Sequence, residues 1–347
     1  MNDALLSRLR AFSLAVAWTF AYCGPVRAQA IQQVSADRIL TMRGPHSRGP
    51  AAVISAVAID PAGRRLAAAG DDHLARLFNL ADGSLLHELR SHTDWVRTAT
   101  FEASGNRLIT AGDDRSLVIW DVATGTLLHK VPCSADPIYA VATVPNTTLL
   151  AAAGFGDQVQ IVDADSGKLT KSLACSGRDH RALAVSPDGR LLAVGGRDGR
   201  LRMWRLPEGV FVRDIEADKL RIRALAFSPD GRELASGGDG RQVRLWFVET
   251  GELSRTLPRR PGRTLSLAFC GPGKLASGAS DNLIRIWDLA SGNEELELVG
   301  HTGSVSALAW HGERSLLVSG SFDTTVRLWD LRGQPLAKPV RQAAKPR

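Results

Sequence analysis

A chain of 347 residues with 44% apolar and 23% charged side chains is long enough for one large core or two ordinary domains, and its ordinary charged fraction argues against disorder. Its 33 glycines call for many tight turns, which favours β-structure. A net charge of +7 is mildly basic and does not by itself imply nucleic acid.

The first predicted element is a targeting segment. Arg8 and Arg10 form a basic start, Ala11 to Tyr22 an uncharged, mainly apolar run, and Ala28-Gln29-Ala30 supplies small residues at the positions a signal peptidase reads. The apolar run is shorter than the roughly 20 residues of a spanning helix, so a cleaved signal over residues 1–30 is expected rather than an anchor. Tyr22 is too bulky to precede a lipidated Cys23. The expected location is the periplasm of a Gram-negative bacterium, with secretion or tethering as the other outcomes. Export also weighs against a nucleic-acid partner. Cleavage removes three positive charges (Arg8, Arg10, Arg27) and one negative (Asp3), taking +7 to +5. No later segment is long and apolar enough for a transmembrane domain in the mature chain.

Beyond residue 30 the chain repeats. Seven short β-branched or apolar runs close on Phe78, Trp120, Val162, Trp204, Trp246, Trp287 and Trp329, at intervals of 42 residues except for 41 between Trp246 and Trp287. Upstream of each lies another apolar run, such as AVAI, TATF or ALAW, then a turn such as Ser186–Gly189 or Ser228–Gly231, then a third run such as RLAAAG or ELASGG. A more polar fourth run follows each closing residue, as in Ser84–Leu89 and Asn293–Leu298. Four strands of about 5–6 residues per repeat, with no helical period after residue 30, predict an all-β, seven-bladed β-propeller of four-stranded antiparallel blades over residues 31–340. The repeats run about 38–80, 81–122, 123–164, 165–206, 207–248, 249–289 and 290–331, and a basic tail occupies 341–347. Small residues alternate on the first strand of each repeat, as at Ala56 and Ala58 or Ala224 and Ala226, where crowding at an axis demands them.

These features resemble the WD-repeat family, whose signature is Gly-His, about 28 residues, then Trp-Asp. The seventh repeat has Gly300-His301 and Trp329-Asp330, the second Ser91-His92 and Trp120-Asp121, and the sixth keeps Trp287-Asp288 without the His. The resemblance implies a buried hydrogen-bonded network within a blade, carried here by His92, Thr110, Asp114 and Trp120 and by His301, Ser319, Asp323 and Trp329. Alone, His301, Ser319 and Asp323 could pass for a catalytic triad, but their recurrence beside a Trp around a ring marks them as structural. The third and fifth repeats place Gly156 and Gly240 where Asp72, Asp198 and Asp281 stand in others. The family also closes its ring with a strand from the far end of the chain. Arg38–Arg43 fits that latch better than Gln334–Val340, because Pro335 and Pro339 remove backbone donors.

Little in the sequence points to catalysis. HExxH, CxxC, GxSxG and P-loop patterns are absent, and Gly154-Phe-Gly156 falls at a strand-to-strand turn. No cofactor and no metal site is expected. Cys133 and Cys175 hold equivalent positions in neighbouring repeats, too far apart for an easy disulfide, so free thiols are expected.

In the resembled family the start of the first strand lies near the face that commonly binds partners. Those positions here include Trp95 and Arg97, Pro137 and Tyr139, Asp179 and Arg181, Arg221 and Arg223, and Arg263 and Leu265. The turn before the network Asp adds Asp71, Asp113, Phe155, Arg197, Asp239, Ser280 and Phe322. Arg181, Arg197, Arg221, Arg223 and Arg263 therefore form a basic sector, with Trp95, Arg97, Tyr139 and Phe322 beside it, suited to a protein or acidic peptide. A second column, Arg76, Arg202, Arg244, Arg285 and Arg327, lies two residues before the closing position and reads as part of the sheets. The expected function is a non-catalytic protein-binding scaffold. The alternatives are a propeller enzyme or anionic-polymer binder using the central channel, and a structural member of an envelope assembly.

Overall fold

The computed structural model describes residues 31–41 and 51–332, and every described element is a strand or a turn. The segment 1–30, the competing latch Gln334–Val340 and the tail 341–347 lie outside the described residues. Among those described, no helix is long and apolar enough to cross a membrane.

The strands form seven sheets, antiparallel throughout except at one added edge strand. Their first strands are Ile54–Ile59, Val96–Phe101, Ile138–Thr143, Ala182–Val185, Ile222–Phe227, Thr264–Phe269 and Val305–His311. Each first strand lies against the first strands of the sheets on either side, and that of blade seven lies against that of blade one. The circle is therefore closed, with the first strands innermost. The face at which they begin is called the upper face below.

The core is divided into seven apolar clusters, each shared between two consecutive blades. Second strands are buried on both sides, as in Arg65–Gly70. Ala67, Ala68 and Ala69 are there because only small side chains fit between blades near the axis. Farther out the gap widens, and Phe78, Trp120, Trp204, Trp287 and Trp329 fill it. This is the physical origin of the 42-residue interval: each period must supply one large side chain per seam.

The sequence repeats and the blades are out of phase by one strand. Repeat 81–122, for example, contributes Leu85–Arg90 as the outermost strand of blade one and the three inner strands of blade two. The last blade lacks an outer strand of its own among the described residues. Arg38–Thr41 supplies it, pairing antiparallel with Thr325–Asp330 in the register Arg38↔Leu328 to Thr41↔Thr325. The N-terminal strand is thus the latch.

One blade carries an addition to the four-stranded plan. Blade six has five strands, because Gln32–Ser35 adds to its outer edge, parallel to Asn293–Val299. Val34 packs against the cluster containing Leu298 and Trp329. Gln32–Ser35 is short, polar and joined by no hairpin turn, so neither alternation nor turn chemistry announces it.

Candidate partner-binding face

Six of the seven innermost strand pairs break register after their first residue. The residues at the breaks are Ser55, Arg97, Tyr139, Arg223, Leu265 and Ser306; in blade four the strand begins one residue later and Arg181 takes the position. A bulge frees its residue from the alternation and re-aims its side chain. Arg97, Tyr139, Arg181 and Arg223 accordingly line the channel, in a cavity of about 220 Å³ with Ser55 and Ser266.

The ring has two unlike halves at this level. In blades seven and one the bulge residue is a serine that donates to the backbone of the next blade: Ser306 Oγ to Ile54 O at 2.5 Å, and Ser55 Oγ to Val96 O. In blades two to five it is cationic or aromatic. The Arg97 guanidinium lies 4.1 Å over the Trp95 ring and 5.9 Å from that of Tyr139, and the Arg181 guanidinium lies 4.4 Å over the Tyr139 ring. Each such contact contributes about 0.5–1 kcal/mol at a partly exposed site.

The arginines are interleaved with Asp113, Asp179 and Asp239, which the sequence placed on the same face without showing that they pair. Arg97 makes a two-pronged contact with Asp113, at 2.9 and 2.5 Å. Asp179 accepts from Arg181 at 2.6 Å and from Arg221 at 2.5 Å, across the seam of blades four and five. Asp239 accepts from Arg223 at 2.6 and 3.3 Å, with Arg221 at 3.9 Å and Arg263 at 4.0 Å. Guanidiniums this close need an intervening negative charge. Burial opposes ionisation of Asp239, but the Arg223 hydrogen bond and the charges of Arg223, Arg263 and Arg221 outweigh it and hold the carboxyl below the usual range. Asp179 is 3% exposed and has a φ of 61°, so its backbone is bent into the left-handed region to place the carboxylate between two blades. Burial raises the Tyr139 hydroxyl above its ordinary value.

The structure thus joins Trp95, Arg97, Tyr139 and Arg181, and then Arg181, Arg221, Arg223 and Arg263 through Asp179 and Asp239. Arg197 is exposed on blade four and makes no hydrogen bond or ion pair among the described residues. Arg178, also exposed there without such a partner, was missed because it belongs to none of the repeated positions. Phe322, 48% exposed on blade seven, touches none of these residues through a ring contact.

The buried networks are continuous. In blade two, Trp120 Nε1–H donates to Thr110 Oγ1 at 2.9 Å, Thr110 meets His92 Nε2 at 2.8 Å, and His92 Nδ1 meets Asp114 at 3.0 Å. In blade seven the chain is Trp329, Ser319, His301 and Asp323, at 2.9, 2.8 and 2.7 Å. Blades without the histidine tie the Asp to the arginine column: Asp72 to Arg76, Asp198 to Arg202, and Asp281 to Arg285, at 2.6, 2.6 and 2.8 Å. Cys133, Cys175 and Cys270 are free and buried. Burial pushes their thiols up to about 11, 12 and 12 respectively. Among the described residues, no group of three or more His, Cys, Asp and Glu could hold a metal ion.

Comparison with known proteins agrees with this geometry. The family model "WD domain, G-beta repeat" matches residues 39–79, 83–121, 167–205, 209–246, 251–288 and 292–330. The stretch it passes over holds the three inner strands of blade three, where Val162 replaces Trp and Gly156 replaces the network Asp. Mitochondrial division protein 1 of Pyricularia oryzae is 49% identical over 59 residues, covering 17% of this chain and 9% of that protein. Coronin-7 of Rattus norvegicus is 44% identical over 62 residues (18% and 7%), and THO complex subunit 3 of Arabidopsis thaliana 43% identical over 72 residues (19% and 23%). The matched segments therefore span less than a quarter of each of these relatives. Since six repeats fit the family model and the remaining blade is built on the same plan, the chain belongs to the WD40-repeat family.

Proposed function

We propose that the protein is a non-catalytic scaffold that docks an acidic segment of a protein partner on the upper face, over blades two to six. WD-repeat propellers typically serve as protein-interaction scaffolds, and that coarser reading comes with the family. The finer one rests on a single observation: the position that carries serine in blades seven and one carries Arg97, Tyr139, Arg181 and Arg223 in blades two to five. The clamped arginines supply a rigid, preorganised surface, while Arg178, Arg197 and the half-exposed Arg263 keep donors available for a partner's carboxylates.

The test is capture from an extract of the native host, read by mass spectrometry, with wild type and an R197E/R263E variant. Both positions are exposed, so the fold should survive. Proteins captured by wild type should be lost with the variant, and their capture should weaken as salt rises well above about 0.15 M. Identical capture by the two proteins at all salt concentrations would end this reading. A second reading, an anionic-polymer binder, draws on the three guanidiniums at the channel lining; competition by soluble polyphosphate but by no acidic protein would favour it. Residues 1–30 lead us to place the partner in the periplasm. Fractionation and N-terminal sequencing of the mature chain test that assignment.

A further inference from the structure

On the lower face each outermost strand fastens its blade to the next. The residues in register with the one before the closing position are His87, His129, Lys171, Arg213, Arg255, Leu296 and, on the latch strand, Arg38. His87 bonds to Ala123 O at 3.1 Å and His129 to Asp165 O at 2.9 Å. Lys171 donates to Glu208 O at 2.6 Å, Arg213 to Glu249 O at 2.7 Å, and Arg38 to Leu80 O at 3.1 Å. Each acceptor is in the last turn of the following blade. By this pattern Arg255 should reach the turn at Ala290 in blade six.

It does not. The Arg255 guanidinium makes no hydrogen bond or ion pair among the described residues, and its Nε is buried without a partner. The turn glycines show the same gap independently. A Cβ on Gly125, Gly167, Gly209 or Gly251 would strike a side chain of the preceding blade's outer strand within 2.8 Å, whereas one on Gly292 would meet nothing within 4 Å. The origin lies in the one short interval of the sequence. The inner turn of blade five is Ser228-Pro229-Asp230-Gly231; that of blade six is a residue shorter, at Gly271-Pro272-Gly273, and leaves the space beside it open.

The result is a cavity of about 770 Å³ on the lower side of blades five to seven. Pro229, Phe269, Pro272, Leu289 and Trp310 give it apolar walls, and Arg255 lines it. Two carboxylates at its edge are engaged already: Asp230 accepts from Ser228 Oγ at 2.6 Å, and Glu233 from Ser254 Oγ at 2.5 Å. The Trp310 indole N–H donates to no group among the described residues. Its volume lies in the range of small-molecule sites, which combine apolar walls with a few unmet polar groups.

We propose that this seam binds a small organic anion with an aromatic or alicyclic body and one carboxylate. The body lies between Phe269, Leu289 and Trp310, and the carboxylate takes the planar fork that Arg255 leaves unused. No residue lining this cavity lines the upper channel, so the site stands apart from the partner-binding proposal.

The probe is 4-phenylbutyrate, titrated calorimetrically into the full-length protein, with 4-phenylbutyramide as its neutral counterpart. The carboxylate should bind with one-to-one saturation and shift the Trp310 indole N–H resonance. The amide should bind at least about tenfold more weakly, the factor expected for loss of one charge-assisted hydrogen bond. R255M should bring the carboxylate down to the amide's affinity while leaving the thermal midpoint unchanged, and A290W, placed on the exposed turn, should block both. Equal affinities for acid and amide, or undiminished binding by R255M, would overturn the proposal. So would binding that leaves Trp310 unshifted, or no binding by the wild type up to about 10 mM, which is weaker than any useful specific site.

Discussion

Thr110 and Ser319 each hold a single hydroxyl between a tryptophan and a histidine, fully buried. A carboxylate only accepts, so each histidine carries a proton on Nδ1 toward its aspartate; in the neutral ring Nε2 is then an acceptor, and the hydroxyl gives it its one proton while accepting from the indole. This chain of donors works only with neutral histidine, and burial lowers the pKa of both His92 and His301 in the same sense. Asp323 is held down to about 2: burial opposes this, but hydrogen bonds from Thr325 and His301 prevail. The consequences for stability share one sign. A histidine kept neutral in the fold stabilises fully above its unfolded value of about 6.5 and less as pH falls below it; the depressed carboxyl stabilises above about 3.9 and is lost toward 2. The denaturant midpoint should therefore fall from pH 7 to pH 5 and fall again below pH 4, with the His92 and His301 ring protons titrating below 6.5 in NMR. S319A, which orphans Trp329 Nε1 and His301 Nε2 together, should cost about 2–4 kcal/mol, while T110S keeps the hydroxyl and should cost about 1 kcal/mol or less. The His-Ser/Thr-Asp-Trp residues were legible because the spacing repeats. The Asp–Arg pairs of blades one, four and six were not, because Asp72, Asp198 and Asp281 stand where the network aspartate does and only coordinates show that Arg76, Arg202 and Arg285 have taken the histidine's place.

At the level of elements, alternation and turn chemistry located the strands well, since each strand has turn residues at both ends. Two features escaped. The bulges at Arg97, Tyr139 and Arg223 recur at the same place in six of the seven inner strand pairs, so the repeat interval contains them and no change of spacing marks them. Gln32–Ser35 has one apolar side chain and a parallel neighbour 264 residues away (Gln32↔Leu296), beyond the reach of any local signal. Together with Arg38–Thr41 it spreads the N-terminal segment over two blades, and Asp37 ties the pair to the last strand through Asp37 N to Leu328 O at 2.9 Å and Asp330 N to its carboxylate at 2.5 Å. Leu40 packs into the cluster that joins blades seven and one. L40D should therefore destabilise the protein by about 2–3 kcal/mol. It should also raise amide exchange across Thr325–Asp330 well before the strands of blade three respond. Exchange that rises equally in every blade would show that the latch closes no particular seam.

Over the whole ring, seven seams share one apolar plan, while the polar fastenings that distinguish them lie at the two faces. Upper fastenings were partly legible: the arginines and aspartates follow from their positions, and which of them pair required coordinates. The lower ones were not legible at all, since His87, His129, Lys171, Arg213 and Arg38 differ in kind and share only register. The single short interval, Trp246 to Trp287, marked the place of the exception without its meaning. That register supports a test of the ring as a set of interchangeable seams. In blades one and two a histidine suffices to reach the next blade's carbonyl, at 3.1 and 2.9 Å. R255H places the same side chain in the same register opposite Leu245, facing a turn whose Ala290 carbonyl accepts no hydrogen bond among the described residues and a glycine with room beside it. The variant should gain about 1 kcal/mol from the added hydrogen bond, read as a higher denaturant midpoint. It should lose 4-phenylbutyrate binding as the cavity closes, and capture on the upper face should stay as it is, since the two linings have no residue in common. A gain in stability without loss of the probe would mean that the seam closes without Arg255 having been the ligand's partner. Loss of capture as well would mean that the blades move together and that the faces are coupled through the ring.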